Sequence, residues 1–147
     1  VKILIQTEPF DPGALLAAFT AGRTDAGAVV SFTGIARADA GPQTTLELEA
    51  YPGFTERRIE AIAAEATDRF SLLDLLVVHR SGEIAVGEAI VFVAAAARHR
   101  RQAFEAADFM MDYLKSRAPF WKKETGEDGS RWIEPSARDR DDATRWD

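Results

Sequence analysis

At 147 residues, with 46% hydrophobic and 29% charged side chains, the chain has the size and balance of one globular domain with a real core. Its net charge of −6 argues against a general nucleic-acid binder, which carries a basic excess. With no cysteine and two histidines, it can form no disulfide, thiolate metal site or cysteine nucleophile, and a structural zinc site is disfavoured.

KILIQ (2–6) reads as a short strand. Asp11-Pro12 then supplies an N-cap and a proline at the first helical position, opening a short helix whose apolar face is ALLAAFT (14–20). AGAVVSFTG (26–34) is a β-branched, buried strand, and ARADAGPQT (36–44) a polar, mobile loop. TLELEAY (45–51) alternates with period two, which buries one face and wets the other. PGFTERRIEAIAAEATDRF (52–70) is an amphipathic helix with Ile59, Ile62, Ala63 and Ala66 inside.

LDLLVVHR (73–80) and EAIVFVAAA (88–96) follow as strands joined by the glycine-containing turn SGEIAVG. RQAFEAADFMMDYLKSR (101–117) is the clearest helix, with Phe104, Ala107, Met111 and Leu114 along one stripe, and Pro119 stops it. FWKKE and RWIEP pair as a hairpin around TGEDGS. The tail, SARDRDDATRWD, is either disordered or docked. No repeat or linker divides the chain, so residues 1–147 are expected to form one domain, with about 136–147 as a polar C-terminal tail. The order β-α-β-β-α-β-β-α-β-β, with short turns within strand pairs, predicts an α+β fold with a mainly antiparallel sheet. No apolar run approaches the ~20 residues of a membrane span, and the opening decapeptide is too short and mixed for a secretory signal. A cytoplasmic protein is expected.

Four clusters are candidates for chemistry. Arg37, in TGIAR (33–37), follows a buried strand at the mouth of a loop. Its planar fork suits phosphate or carboxylate, or it is simply a solvated loop arginine. RHRR (98–101) places cations where the helix dipole disfavours them, by ~0.3–1 kcal/mol each. That calls for something negative nearby, either a ligand or the protein's own carboxylates. Lys115 is only about 20° off the line of Phe104, so it belongs to the buried stripe and either snorkels to water or points into a cleft.

Lys122 and Lys123 complete the set. Strand alternation sends them to opposite faces, so only one can share a pocket with Lys115. If Lys122 does, like-charge repulsion lowers at least one lysine pKa and suits that group to act as a base or nucleophile. The alternative is an exposed hairpin with Trp121 and Trp132 as a cross-strand pair. Arg100 and Lys115 lie roughly 22 Å apart along one helix, too far for one small anion. Either there are two sites, or a dimer brings opposite helix ends together.

GAVVSFTGIAR, LELEAYPGFTE, VVHRSGEIAVGE and ARHRRQAFEAADFMMDYLKSRAPFWKKE, with the following RW, resemble the large, catalytic subunit family of molybdopterin synthase. The match runs in order from about residue 26 to 132. The resemblance implies an α/β hammerhead-type fold with three main helices and an additional small antiparallel sheet. It implies a central homodimer, and a heterotetramer overall, in which each large subunit binds a small ubiquitin-like sulfur carrier. That carrier brings sulfur as a thiocarboxylate on its C-terminal Gly-Gly tail. The implied substrate is cyclic pyranopterin monophosphate, converted to the dithiolene of molybdopterin, with no metal or cofactor needed and no nucleic acid or membrane involved.

By motif, the resemblance implies that Lys115 and Lys122 are catalytic. It implies that Ile35, Ala36, Arg37, Lys123 and Glu124 also line the substrate site, and that His99 and Arg100 hold the phosphate from the neighbouring protomer. Ala36 stands where a valine is expected. The tail matches poorly and is assigned no site, although Arg138 could reach the anion pocket. A non-catalytic docking module for a ubiquitin-like Gly-Gly tail is the alternative, and it would leave His99 and Arg100 dispensable. A nucleotide binder without a protein partner is a second.

Overall fold

The computed structural model describes residues 1–37, 45–118, 120–126, 129–133 and 136–147. The elements are β1 (Lys2–Gln6), α1 (Pro12–Thr20), β2 (Ala28–Ile35), β3 (Thr45–Ala50), α2 (Phe54–Arg69), β4 (Asp74–Arg80), β5 (Gly82–Ala85), β6 (Ala89–Ala97), α3 (Arg100–Ser116), β7 (Phe120–Gly126), β8 (Gly129–Ile133) and α4 (Ala137–Thr144). They form two four-stranded sheets, ordered β1-β4-β6-β2 and β5-β3-β7-β8. The α+β class and the small second sheet are as expected. Every pairing is antiparallel except β1 with β4, which run parallel.

The first sheet is covered on both faces. Leu75, Val77, Val91, Val93 and Ala95 pack under α2 and α3, while Leu76, Val78, Phe92 and Ala94 pack under α1. Because both faces are buried, β4 and β6 are almost continuously apolar. Asp11 caps α1 as the sequence predicts, its Oδ1 accepting from the amides of Gly13 and Ala14. The four inner residues foreseen for α2 are all buried. Burying a side chain such as Ile59 is worth roughly 1.5–3 kcal/mol.

Helix α3 differs from its expected stripe. Its core face is Ala103, Ala106, Ala107, Phe109, Met110, Tyr113 and Leu114, whereas Phe104 is 60% exposed. The alanines of α3 face the alanine run of β6, and small side chains on both let the helix sit close to the sheet. Phe104 and Lys115 therefore lie together on the flank of the helix, outside the core stripe.

One other feature was not expected. The segment read as the turn SGEIAVG contains β5, which leaves the first sheet to pair with β3 in the second. Gly82 makes that transfer with φ +80, the left-handed region that glycine enters without penalty. Gly82→Ala should cost about 1–2 kcal/mol of stability, read by urea denaturation; the space beside it is open enough that backbone conformation is the whole cost. Helix α3 ends at Ser116, before Pro119, which lies outside the described residues together with 38–44, most of the expected loop.

The tail forms α4 and docks on α3. Asp112, buried on α3, accepts from Arg145 (Nε 3.1 Å, Nη2 2.7 Å) and from the Trp146 indole (2.6 Å). Trp146 meets Phe70 and Phe109 edge-on.

Candidate active site

The second sheet has two unlike faces, as period-two alternation requires. Leu46, Leu48 and Ile84 point inward with Phe120. Glu47 and Lys123 are opposed on the outer face, where Lys123 Nζ stands 5.6 Å from the Trp132 ring centroid. Trp121 and Trp132 form an edge-to-face pair there at 6.1 Å. Lys122 and Glu124 fall on the inner face, toward the flank of α3.

Between that inner face and α3 lie two adjoining chambers. One, of about 110 Å³, is lined by Leu48, His79, Met111, Phe120 and Asp139. The other, of about 240 Å³, is lined by Ile35, Ala36, Arg37, Val86 and Glu124. Both share Leu46, Ile90, Lys115 and Lys122. The two lysines thus stand at the junction, delivered by α3 and β7. Arg37 arrives from the end of β2.

Lys115 keeps contact with solvent, yet protein atoms crowd it on several sides. That desolvation is the largest influence lowering its pKa from the ordinary lysine value; the positive charge of Lys122 adds to it, Asp139 opposes it, and Arg37 lowers it further. A lysine so placed holds its proton less tightly than a surface lysine, while lining both chambers together with Lys122.

His79 was not singled out in the sequence, where it ends an apolar strand without a motif of its own. It is buried, stacked on Phe120 at 4.0 Å and 16°, and its Nδ1 lies 2.8 Å from the Arg80 carbonyl. A carbonyl only accepts, so Nδ1 carries the hydrogen and Nε2 is an acceptor. Burial pushes its pKa down to about 4; the Arg80 carbonyl opposes that, and the charge of Lys115 contributes to it. The cleft therefore combines cationic donors with one neutral imidazole. Asp139, from the tail, is the other residue that sequence reasoning missed, because nothing local indicates that α4 folds back onto α3.

Of the site residues expected from sequence, Ile35, Ala36, Arg37, Lys115, Lys122 and Glu124 meet at these chambers. Lys123 does not; it occupies the opposite face of its strand. His99 and Arg100 lie exposed at the far end of α3, about 22 Å along the helix from Lys115, and line neither chamber. His99 is the N-cap residue by backbone position but makes no side-chain capping bond. Arg138 lies on α4 and lines neither chamber. Among the described residues, no three His, Cys, Asp or Glu side chains cluster as a metal site, and no helix is long and apolar enough to cross a membrane.

A lysine pair and an arginine thus give this acidic α+β protein a cationic cleft, chemistry suited to anions. The family model described as MoaE protein matches residues 5–117. A protein from Caulobacter vibrioides named molybdopterin synthase catalytic subunit is 63% identical over 145 residues, covering 99% of this chain and 97% of its own. One of the same name from Mesorhizobium japonicum is 55% identical, covering 98% and 92%. The solved molybdopterin biosynthesis MoaE protein from Burkholderia ambifaria superposes with a TM-score of 0.84 at 44% identity, covering 99% of this chain and 97% of that one. Molybdopterin synthase from Staphylococcus aureus superposes at 0.79 and 32%, covering 88% and 95%. The chain belongs to the MoaE protein family, that of the molybdopterin synthase catalytic subunits.

Proposed function

We propose that the chain is the sulfur-transferring subunit of a molybdopterin synthase. It takes sulfur from the C-terminal thiocarboxylate of a small ubiquitin-like carrier and adds it to cyclic pyranopterin monophosphate, giving the dithiolene of molybdopterin. The observation that carries this reading is the convergence of Lys115, Lys122 and Arg37, from three separate elements, on one cleft. Phosphate, thiocarboxylate and the released carboxylate are all anions, and a cysteine-free chain must receive its sulfur from elsewhere.

The thiocarboxylate sulfur attacks an electrophilic carbon of the pterin side ring, a C–S bond forms, and the cyclic phosphate opens to a monoester. Water then cleaves the acyl–sulfur bond, leaving a carboxylate on the carrier and a thiolate on the pterin, and a second thiocarboxylated carrier supplies the other sulfur of the dithiolene to the adjacent carbon, with loss of its oxygen as water. Lys115 stabilises the oxyanion that develops in the acyl–sulfur cleavage or moves its proton. Lys122 lowers the pKa of Lys115 and holds the carrier's tail. Arg37 anchors the phosphate with its fork and so orients the reacting carbon. Ile35 and Ala36 line the chamber that takes the substrate, and Glu124 borders it.

His99 and Arg100 join the site from a second copy of the chain, and the length of α3 supports this. So do the exposed apolar residues Phe32 and Ile35 on β2, an edge strand, and Phe104 on α3, which packs against β2. Two large subunits and two carriers make a heterotetramer. The reading treats residues 1–147 as one domain, with α4 docked on α3, working in the cytoplasm.

Mixing the protein with a thiocarboxylated carrier and cyclic pyranopterin monophosphate, then assaying for dithiolene, tests the reading. Product is the expected result. Tight carrier binding without product would leave a docking module in its place.

A further inference from the structure

Arg80 and Glu88 take no part in the chemistry above, yet they form an ion pair beside the cleft that several hydrogen bonds tie in place. Arg80 is 3% exposed. Its Nε donates to the Thr7 carbonyl (3.1 Å), just past the end of β1, and its Nη2 to the Glu83 carbonyl in β5 (3.0 Å). Its Nη1 lies 3.7 Å from Glu88 Oε1, within ion-pair range but too far for a hydrogen bond. That same Oε1 accepts from the Ala85 amide at 2.7 Å, while the Glu88 amide donates to the Ala85 carbonyl at 3.1 Å. One carboxylate thus closes the 85–88 turn.

The turn in its turn grips the end of β2. The Ala36 amide donates to the Glu88 carbonyl (3.0 Å), and the Gly87 amide donates to the Ala36 carbonyl (2.9 Å). This bridge follows the irregularity at Gly34/Ile35, where the β2–β6 register shifts. Ala36 is buried, and Arg37 is the next residue, emerging at the chamber.

We propose that Glu88 and Arg80 are positioning residues for Arg37: through the 85–88 turn and Ala36 they set where its guanidinium meets the phosphorylated substrate. The proposal rests on the reading of Arg37 as a phosphate anchor. A pair held by a buried arginine, with Glu88 half-buried at the turn, suits the task, because breaking it releases the turn while both cleft lysines stay in place on other elements.

Steady-state kinetics of the reconstituted synthase test it, with Glu88→Ala, Glu88→Gln, Arg37→Ala and the double variant Arg37→Ala/Glu88→Ala. Glu88→Ala should raise KM for the pterin about tenfold, with kcat and the KM for the carrier little changed. Glu88→Gln keeps an acceptor for the Ala85 amide and should recover much of the loss; it also serves if the alanine variant fails to fold. In the Arg37→Ala background, Glu88→Ala should add almost nothing. Amide exchange at Ala36 and Gly87 should quicken in Glu88→Ala while β4 and β6 stay protected. A raised pterin KM in Arg37→Ala beside an unchanged one in Glu88→Ala, fully additive effects, or unaltered exchange at Ala36 each overturn the proposal alone. An unchanged pterin KM in Arg37→Ala overturns the anchor reading, and the proposal falls with it.

Discussion

Lys115→Ala should lower sulfur transfer by about 10²–10⁴-fold without unfolding the protein. The side chain sits on the flank of α3 and contributes nothing to the core stripe, so circular dichroism and the melting temperature should match wild type. Retained turnover would remove Lys115 from the mechanism. The pH profile separates its two possible duties. Lys122 contributes to lowering the Lys115 pKa, so Lys122→Gln should let that pKa rise. If neutral Lys115 moves the proton, the acid limb of kcat/KM shifts to higher pH in Lys122→Gln. If cationic Lys115 stabilises an oxyanion, it is the alkaline limb that moves up, because the lysine keeps its proton longer.

Acid should destabilise the fold through His79. Its folded pKa is about 4, while an unfolded histidine titrates near 6.5. Between those values the unfolded chain binds the extra proton, so stability rises with pH across that window. The contribution of the neutral ring is complete above pH 6.5, shrinks as pH falls, and is gone near pH 4. The loss amounts to about 3 kcal/mol over the window. Urea denaturation at pH 7.5 and 4.5 should reveal it as a pH-dependent loss that His79→Gln reduces by about 2–3 kcal/mol, since glutamine does not titrate. Equal losses in wild type and variant would show that His79 protonates without penalty. The effect is tied to function, because the imidazole stacks on Phe120, two residues before Lys122.

Local pattern carried much of the site. Period-two alternation in FWKKE is enough to send Lys122 and Lys123 to opposite faces, and the register against β3 places them so. Helical arithmetic is enough to separate Arg100 from Lys115. The same arithmetic, anchored on Phe104, assigned Lys115 to the core stripe. The error arose because a large aromatic is a strong local signal for burial, whereas the face that α3 buries was chosen by the alanines of β6 opposite it. That partner surface is the strand just before the helix, which a window over 101–117 does not contain and whose face toward α3 only the packed structure shows.

By itself, the sequence determined the α+β class, nearly every element, the chemical character of the cleft and the family. All but the family are properties of periodicity, capping and local composition, which act within a few residues; the family was legible as a resemblance of several motifs in order along the chain. Only the tertiary structure decided that β5 crosses to the second sheet, that β1 pairs in parallel with β4, that α4 returns to Asp112, and that His79 and the Arg80–Glu88 pair stand around the cleft. Each of these depends on partners far apart in the chain, where loop closure and mutual burial select among pairings that local propensity leaves equal.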